Sequence, residues 1–127
     1  MTSTKTIFEL HYEHKDWLSK LSFYNDELDL MQKRIEEVVQ KNNAVEVRAQ
    51  VDHFQNQIFI TRSHAVDMRK EIQKHEVEIE KTINSNPVAV DHKRLPDHTH
   101  HREQMEQFEK LFAELRKELF SFLAKWM

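Results

Sequence analysis

The sequence contains no glycine and no cysteine, and its only two prolines are Pro87 and Pro96. Tight hairpins and phosphate-binding loops depend on glycine, where the backbone takes positive φ or approaches a ligand closely. We therefore expect neither a β-sheet architecture nor a nucleotide-binding loop. The lack of cysteine excludes disulfides, thiolate metal sites and cysteine nucleophiles, and it is compatible with a reducing cytoplasm.

The chain also lacks an excess of positive charge and any long apolar run. Its net charge is −3, and lysine and arginine alternate with glutamate and aspartate instead of forming a basic stripe. Nucleic-acid binding draws on clustered positive charge, so we expect no nucleic-acid partner. No apolar run approaches the roughly 20 residues of a membrane helix, and residues 1–9 lack a signal-peptide core. These features predict a cytoplasmic protein without a membrane partner.

What the sequence does have is a heptad repeat in three separate segments. With 32% charged and 39% apolar residues, the composition is typical of long helices with a narrow buried seam. Apolar or histidine positions recur at alternating steps of four and three, which indicates helices that pack along a seam. The seam of the first segment comprises Leu10, His14, Trp17, Leu21, Tyr24, Leu28, Met31, Ile35 and Val38. The second comprises Val47, Val51, Phe54, Ile58, Thr61, Ala65, Met68, Ile72, His75 and Ile79. The third comprises His101, Met105, Phe108, Phe112, Leu115, Leu119, Phe122 and Trp126.

The segments between these seams carry helix start and stop signals. Thr6 and Glu9 form a capping box at the start of helix 1, and Asp97 after Pro96 is a candidate cap for helix 3. Asn42 can end helix 1 in the left-handed conformation, and Asn43 can cap helix 2. We predict helix 1 over residues 6–42, helix 2 over 43–85, a linker over 86–96 and helix 3 over 97–126. The whole chain, residues 1–127, is predicted to be one all-α domain.

A short turn between helices 1 and 2 predicts that they lie side by side and antiparallel. Residues whose numbers add to about 85 should then be level. Tyr24 would face Thr61, and Leu28 would face Ile58, which pairs residues of compatible size. The prediction is an antiparallel three-helix bundle with coiled-coil-like heptad packing.

The end of helix 3 carries a second apolar line that one seam cannot bury. Residues off the main seam of helix 2 fall near it in the antiparallel arrangement. We predict one apolar patch, and such patches on soluble proteins usually mark association surfaces. The predicted interface consists of Phe59, Ile60, Val66, Phe120, Leu123, Trp126 and Met127. The alternative is that helix 3 is buried more deeply at this end.

The nine histidines are the one feature that could support metal binding or catalysis. Three of them lie on the seams of three different helices. Imidazole is the commonest metal ligand, and helical bundles build zinc and iron sites from seam histidines and nearby carboxylates. The candidate ligands are His14, His75, His101, Glu71 and Glu78. The predicted register places His14 one helical turn away from His75, and the ferritin-like glutamate-to-histidine spacing is not matched. The alternative is structural, with partly buried rings bonded to glutamate, and the other histidines, including His98, are predicted to be solvated.

No catalytic constellation accompanies these histidines, because the chain has no glycine-elbow serine and no nucleotide-binding loop. We therefore predict a non-enzymatic protein that requires no cofactor and acts through self-association, as a homodimer or with another protein partner. The alternative function is a metal-binding bundle that holds zinc or iron. Histidines kept neutral in a seam would also make the stability of either form fall at acidic pH.

Overall fold

The computed structural model describes residues 7–85 and 94–127, and within them the chain is a bundle of three helices with no strand. Helix α1 spans Ile7–Lys41, α2 spans Val45–Ser85, and α3 spans Arg94–Trp126. The predicted all-α class and the count of three helices are confirmed. Thr6 and most of the predicted linker, with Pro87, lie outside the described residues.

Helix α3 begins earlier than its predicted start at Asp97. It starts at Arg94, so Pro96 belongs to its first turn and not to the linker. Proline has no amide hydrogen, and the first-turn amides of a helix have no intrahelical acceptor. Pro96 therefore costs no hydrogen bond there and does not delimit the helix.

The turn between α1 and α2 comprises residues 42–44 and differs in detail from the prediction. No residue in the described part of the chain has positive φ, so Asn42 does not take the left-handed conformation. Its side-chain Nδ2 instead donates to the Val38 carbonyl at 3.1 Å and to the Trp126 carbonyl, also at 3.1 Å. Asn42 thus satisfies helix-end carbonyls of α1 and α3 without the cost of a left-handed backbone. Helix α2 starts at Val45, two residues after the predicted start at Asn43.

The predicted seams form the core. Nearly all their residues are buried, and the others, such as Tyr24 and Met68, pack partly buried against the same cluster. A smaller cluster of Ile7, Leu10 and Ile79 lies beyond the histidines. Burial of these stripes must stabilise helices of this length, because local propensity contributes little at each position.

Residues early in α1 lie against residues late in α2, about one turn out of the predicted alignment. The numbers of contacting pairs add to 87 for Asn25 with Arg62 and to 89 for His14 with His75, against the predicted 85. Helical side chains lean toward the N-terminus of their own helix, so each covers a level about one residue N-terminal to its Cα. For the predicted antiparallel pair, the two leans account for about two residues of this difference. His14 and His75 are in contact, where the prediction had separated them by one turn.

No helix within the described ranges combines the length and the apolar character that crossing a membrane requires. The cytoplasmic location stays a prediction.

Candidate metal centre

Three histidines, one from each helix, meet inside the bundle between the two apolar clusters. His14 of α1 and His98 of α3 are fully buried, and His75 of α2 is 5% exposed. The His14 ring centroid lies 4.9 Å from that of His75 and 4.8 Å from that of His98. One ligand nitrogen from each ring lies within 4.8 Å of the other two. The three side chains therefore converge on one position in the core.

Two glutamates contact the ring nitrogens of His14 and His98 that point away from the centre of the cluster. Nδ1 of His14 lies 2.7 Å from Glu76 Oε1, and Nε2 of His98 donates to Glu13 Oε1 at 2.5 Å. The inner nitrogens of the two rings, His14 Nε2 and His98 Nδ1, face each other at 3.1 Å. A neutral imidazole has a single N–H, so His98 Nδ1 carries a lone pair, and His14 Nε2 can donate a hydrogen bond to it. When the His14 proton is on Nδ1 and bonded to Glu76, two lone pairs face each other, and a cation between them removes their repulsion.

Glu13 is a charged anchor on the α3 side of the cluster. Its carboxylate accepts hydrogen bonds from Arg102 Nε at 3.1 Å and from Arg102 Nη2 at 2.8 Å, in addition to the one from His98. Burial raises the pKa of Glu13, but the hydrogen bonds from Arg102 and His98 outweigh it and lower the pKa to about 2. An ionised Glu13 cannot donate, which requires the proton of His98 on Nε2.

Glu76 is the corresponding anchor on the α2 side, and it is almost fully buried. Its second oxygen accepts a hydrogen bond from His11 Nδ1. Burial raises the pKa of Glu76; the bond from His11 lowers it, and nearby Glu80 raises it further. His11, Glu76 and Glu80 also form a group whose ligand atoms converge, but both oxygens of Glu76 already face histidines.

The buried rings favour the neutral form. Burial lowers the pKa of His14 to about 3, and the neighbouring histidines lower it further in the same direction. Burial likewise lowers the pKa of His98, although Glu13 opposes the shift. Neutral imidazole is the form that binds a metal, so both rings are in the ligand state at neutral pH.

The predicted ligands His101, Glu71 and Glu78 lie beside this cluster. Together with His75 they line a cavity of about 300 Å³ on the α2–α3 side. His101 is partly buried, and its ring lies edge-on to His75 with centroids 5.3 Å apart. The described residues whose ligand atoms converge with those of His14 and His75 include His98 and not these three.

His98 was the main omission, because it was predicted to be solvated and is fully buried. The signal was available, since His98 precedes His101 by three residues and extends the rhythm of the third seam by one step. The predicted helix 3 includes His98, but its predicted seam begins at His101, one step too late. Glu13 and Glu76 lie off the seams, and the heptad pattern gives no sign of them.

The predicted interface residues differ in burial, and two of them line separate cavities. Leu123 is buried in the core, as the deeper-burial alternative expects, and Trp126 packs against the core partly buried. Phe59 and Met127 are exposed, and Val66 is partly buried. Phe120 lines a cavity of about 760 Å³ between α1 and α3, whereas Ile60 lines another between α2 and α3. Leu123 is therefore covered within the single chain, and its place in an interface stays a prediction.

Comparisons with models of known protein families, with curated proteins and with solved structures found no match.

Proposed function

We propose that this protein binds a divalent transition metal through His14, His75 and His98, and that this metal is zinc. The 3.1 Å separation of His14 Nε2 and His98 Nδ1 carries the proposal. Two nitrogens bound to one tetrahedral zinc lie roughly 3.3 Å apart, because each is about 2.0–2.1 Å from the metal. A cation between them removes the repulsion of two facing lone pairs. The carboxylates on the outer N–H groups match the carboxylate–histidine–metal arrangement that orients metal ligands.

Zinc suits this donor set better than iron. Non-haem iron sites of the facial type require a carboxylate bound to the metal, and here both carboxylates contact the outer nitrogens of the rings. Three neutral imidazole nitrogens around one point suit a tetrahedral ion. The predicted ligands Glu71 and Glu78 then belong to the surroundings of His75, which they flank on α2.

The test is metal content and affinity of protein purified without a histidine tag. We expect one zinc per chain by elemental analysis and a matching stoichiometry in calorimetric titration. His14→Ala and His98→Ala should each lose this stoichiometric binding, because two nitrogens hold zinc much more weakly than three. Both variants delete buried side chains, so circular dichroism must show that they remain helical.

His53→Ala is the matched control, since His53 is an exposed histidine of α2 outside the cluster. It should bind zinc as the parent protein does. Absence of stoichiometric zinc in the parent, or undiminished binding in both helical ligand variants, would contradict the proposal.

We propose, as a second function, that two copies of the chain associate through the cavity between α1 and α3. This cavity measures about 760 Å³, and the exposed rings of Phe23 and Phe120 lie on its lining with the hydroxyl-bearing ring of Tyr24. Exposed apolar surface of this kind favours association. An isologous dimer would use the same surface of each copy twice. We also propose that α1 and α2 run antiparallel, which the pairs Asn25–Arg62 and His11–Glu76 support.

Sedimentation analysis of the parent protein and of Phe23→Glu tests the association. We expect a dimer for the parent and a monomer for the variant, because a carboxylate in the apolar contact is costly to bury. Leu30→Glu is the control, since Leu30 is a similarly exposed apolar residue of α1 outside this cavity. A monomeric parent protein would refute the association and leave the zinc proposal untouched.

A further inference from the structure

Three nitrogens converge on the centre from the side chains that the structure describes, those of residues 7–84 and 98–127. Among these side chains, no other histidine, aspartate or glutamate has a ligand atom that converges with those of His14, His75 and His98. Structural zinc sites are closed by four protein ligands, whereas catalytic zinc sites use three and keep one position for water or substrate. The histidine cluster has the composition of the second kind.

A polar cavity reaches this centre at His75. It measures about 300 Å³, and its other lining residues are Glu71, Lys74, Glu78, His100 and His101. One water molecule takes up about 30 Å³ of liquid volume, so the cavity has room for a small polyatomic ligand with its hydration water. His75 belongs to both the cluster and the cavity wall, which makes the cavity the route from solvent to the metal position.

We propose that the fourth coordination position takes an exchangeable small anion, or water in its place, which enters through this cavity. The inference rests on the proposed zinc function. Three neutral imidazoles leave the double positive charge of the ion unneutralised in the first shell, so an anion is favoured over a neutral ligand. The cavity wall itself carries the carboxylates of Glu71 and Glu78 beside the Lys74 ammonium, so the charge that attracts the anion is that of the metal ion.

Cobalt(II) provides the direct test, because its visible d–d bands report the number and kind of ligands. Zinc(II) is d¹⁰ and has no such bands. The full chain is loaded with one equivalent of cobalt(II) and titrated with azide, a small monoanionic ligand. We expect a saturable change in the visible bands as azide replaces bound water. Zinc added in excess should abolish the spectrum by displacing the cobalt.

His100→Trp tests the route, because His100 is exposed and lines the cavity without belonging to the cluster. The larger ring should obstruct the cavity and slow azide binding by roughly tenfold or more in stopped-flow mixing, while cobalt binding is retained. His53→Trp places the same ring on an exposed position of α2 outside the cavity and should leave the rate of azide binding unchanged.

The outcomes separate this inference from the function on which it rests. Cobalt bound with spectra indifferent to azide would show that the fourth position is closed, for example by His101, and would overturn the inference alone. Equal rates of azide binding in His100→Trp and in the parent would overturn the proposed route. If cobalt and zinc fail to bind at all, the zinc function itself is wrong.

Discussion

Single hydrogen bonds decide which nitrogen of each buried histidine can act as a ligand. Glu13 accepts the proton of His98, and Glu76 accepts that of His14 in the tautomer that binds a metal, which places the lone pairs of the two inner nitrogens toward each other. Without these carboxylates the rings could turn or change tautomer, and the convergence of ligands would be lost. The two glutamates are positioning residues for the proposed metal centre.

Replacement of either glutamate by glutamine should therefore weaken zinc binding without removing a ligand. We expect Glu13→Gln and Glu76→Gln each to lower zinc affinity about 10- to 100-fold, the usual effect of losing such a partner. Competition with a chromophoric chelator measures the change. Glu103→Gln is the control, because Glu103 is an exposed residue of α3. Unchanged affinity in both variants would mean that these carboxylates do not orient the ligands.

Tyr24 offers a test at a residue remote from the histidines. Its hydroxyl donates to Glu109 Oε2 at 2.5 Å, and burial together with this carboxylate raises the tyrosine pKa to about 12. The folded state keeps the proton more tightly than the unfolded state, so the stabilisation is complete below about pH 10 and is lost as pH rises toward 12. Ultraviolet titration should show one phenol that ionises near pH 12, and Tyr24→Phe should lack that step. Two phenols that both ionise near pH 10 in the parent would contradict this contact.

At the scale of elements, the helices follow from local periodicity, while their ends and alignment depend on side chains. The turn at residues 42–44 is an example, because Asn42 closes it through hydrogen bonds and not through a left-handed backbone. The same side chain ties the end of α1 to the end of α3. A single amide thus couples two helix ends that are 84 residues apart in the chain.

Asn42→Ala should reduce the free energy of unfolding by about 1 kcal/mol, since it removes two partly buried hydrogen bonds to helix-end carbonyls. Urea denaturation of the two proteins measures the difference. Asn43→Ala serves as the control, because Asn43 is exposed in the same turn and should change stability little. Equal losses in the two variants would assign the effect to turn propensity and not to the bonds of Asn42.

For the whole molecule, the buried rings of His14 and His98 link folding to pH. The pKa of His14 is lowered to about 3 and that of His98 is also lowered, chiefly by burial. The unfolded chain takes up protons on these histidines near pH 6.5, whereas the folded chain does not. Stability is therefore full above about pH 6.5 and falls as pH decreases. The pKa of Glu76 is raised, so protonation of this group favours the folded state as the pH falls. It is one group against the two histidines His14 and His98.

Metal-free protein should accordingly lose about 2 kcal/mol of stability for each ring that stays neutral when the pH is lowered from 8 to 5. Urea midpoints in the presence of a chelator measure this loss. His14→Gln should reduce the pH dependence, and His53→Gln, at an exposed position, should not. Identical midpoints at pH 5 and pH 8 in the parent protein would exclude the linkage.

The sequence by itself determined the number of helices, their type and the residues of their buried stripes, because an α-helix repeats on the scale of a few residues. Only the tertiary structure decided which histidines meet. That outcome depends on the axial alignment of three separate helices, to which the lean of the side chains adds about one residue on each helix. It also depends on the burial of His98, which lies one step before the predicted seam of α3. His14, His75 and His98 are remote in the chain, and no local pattern specifies the level at which three packed helices bring their side chains together.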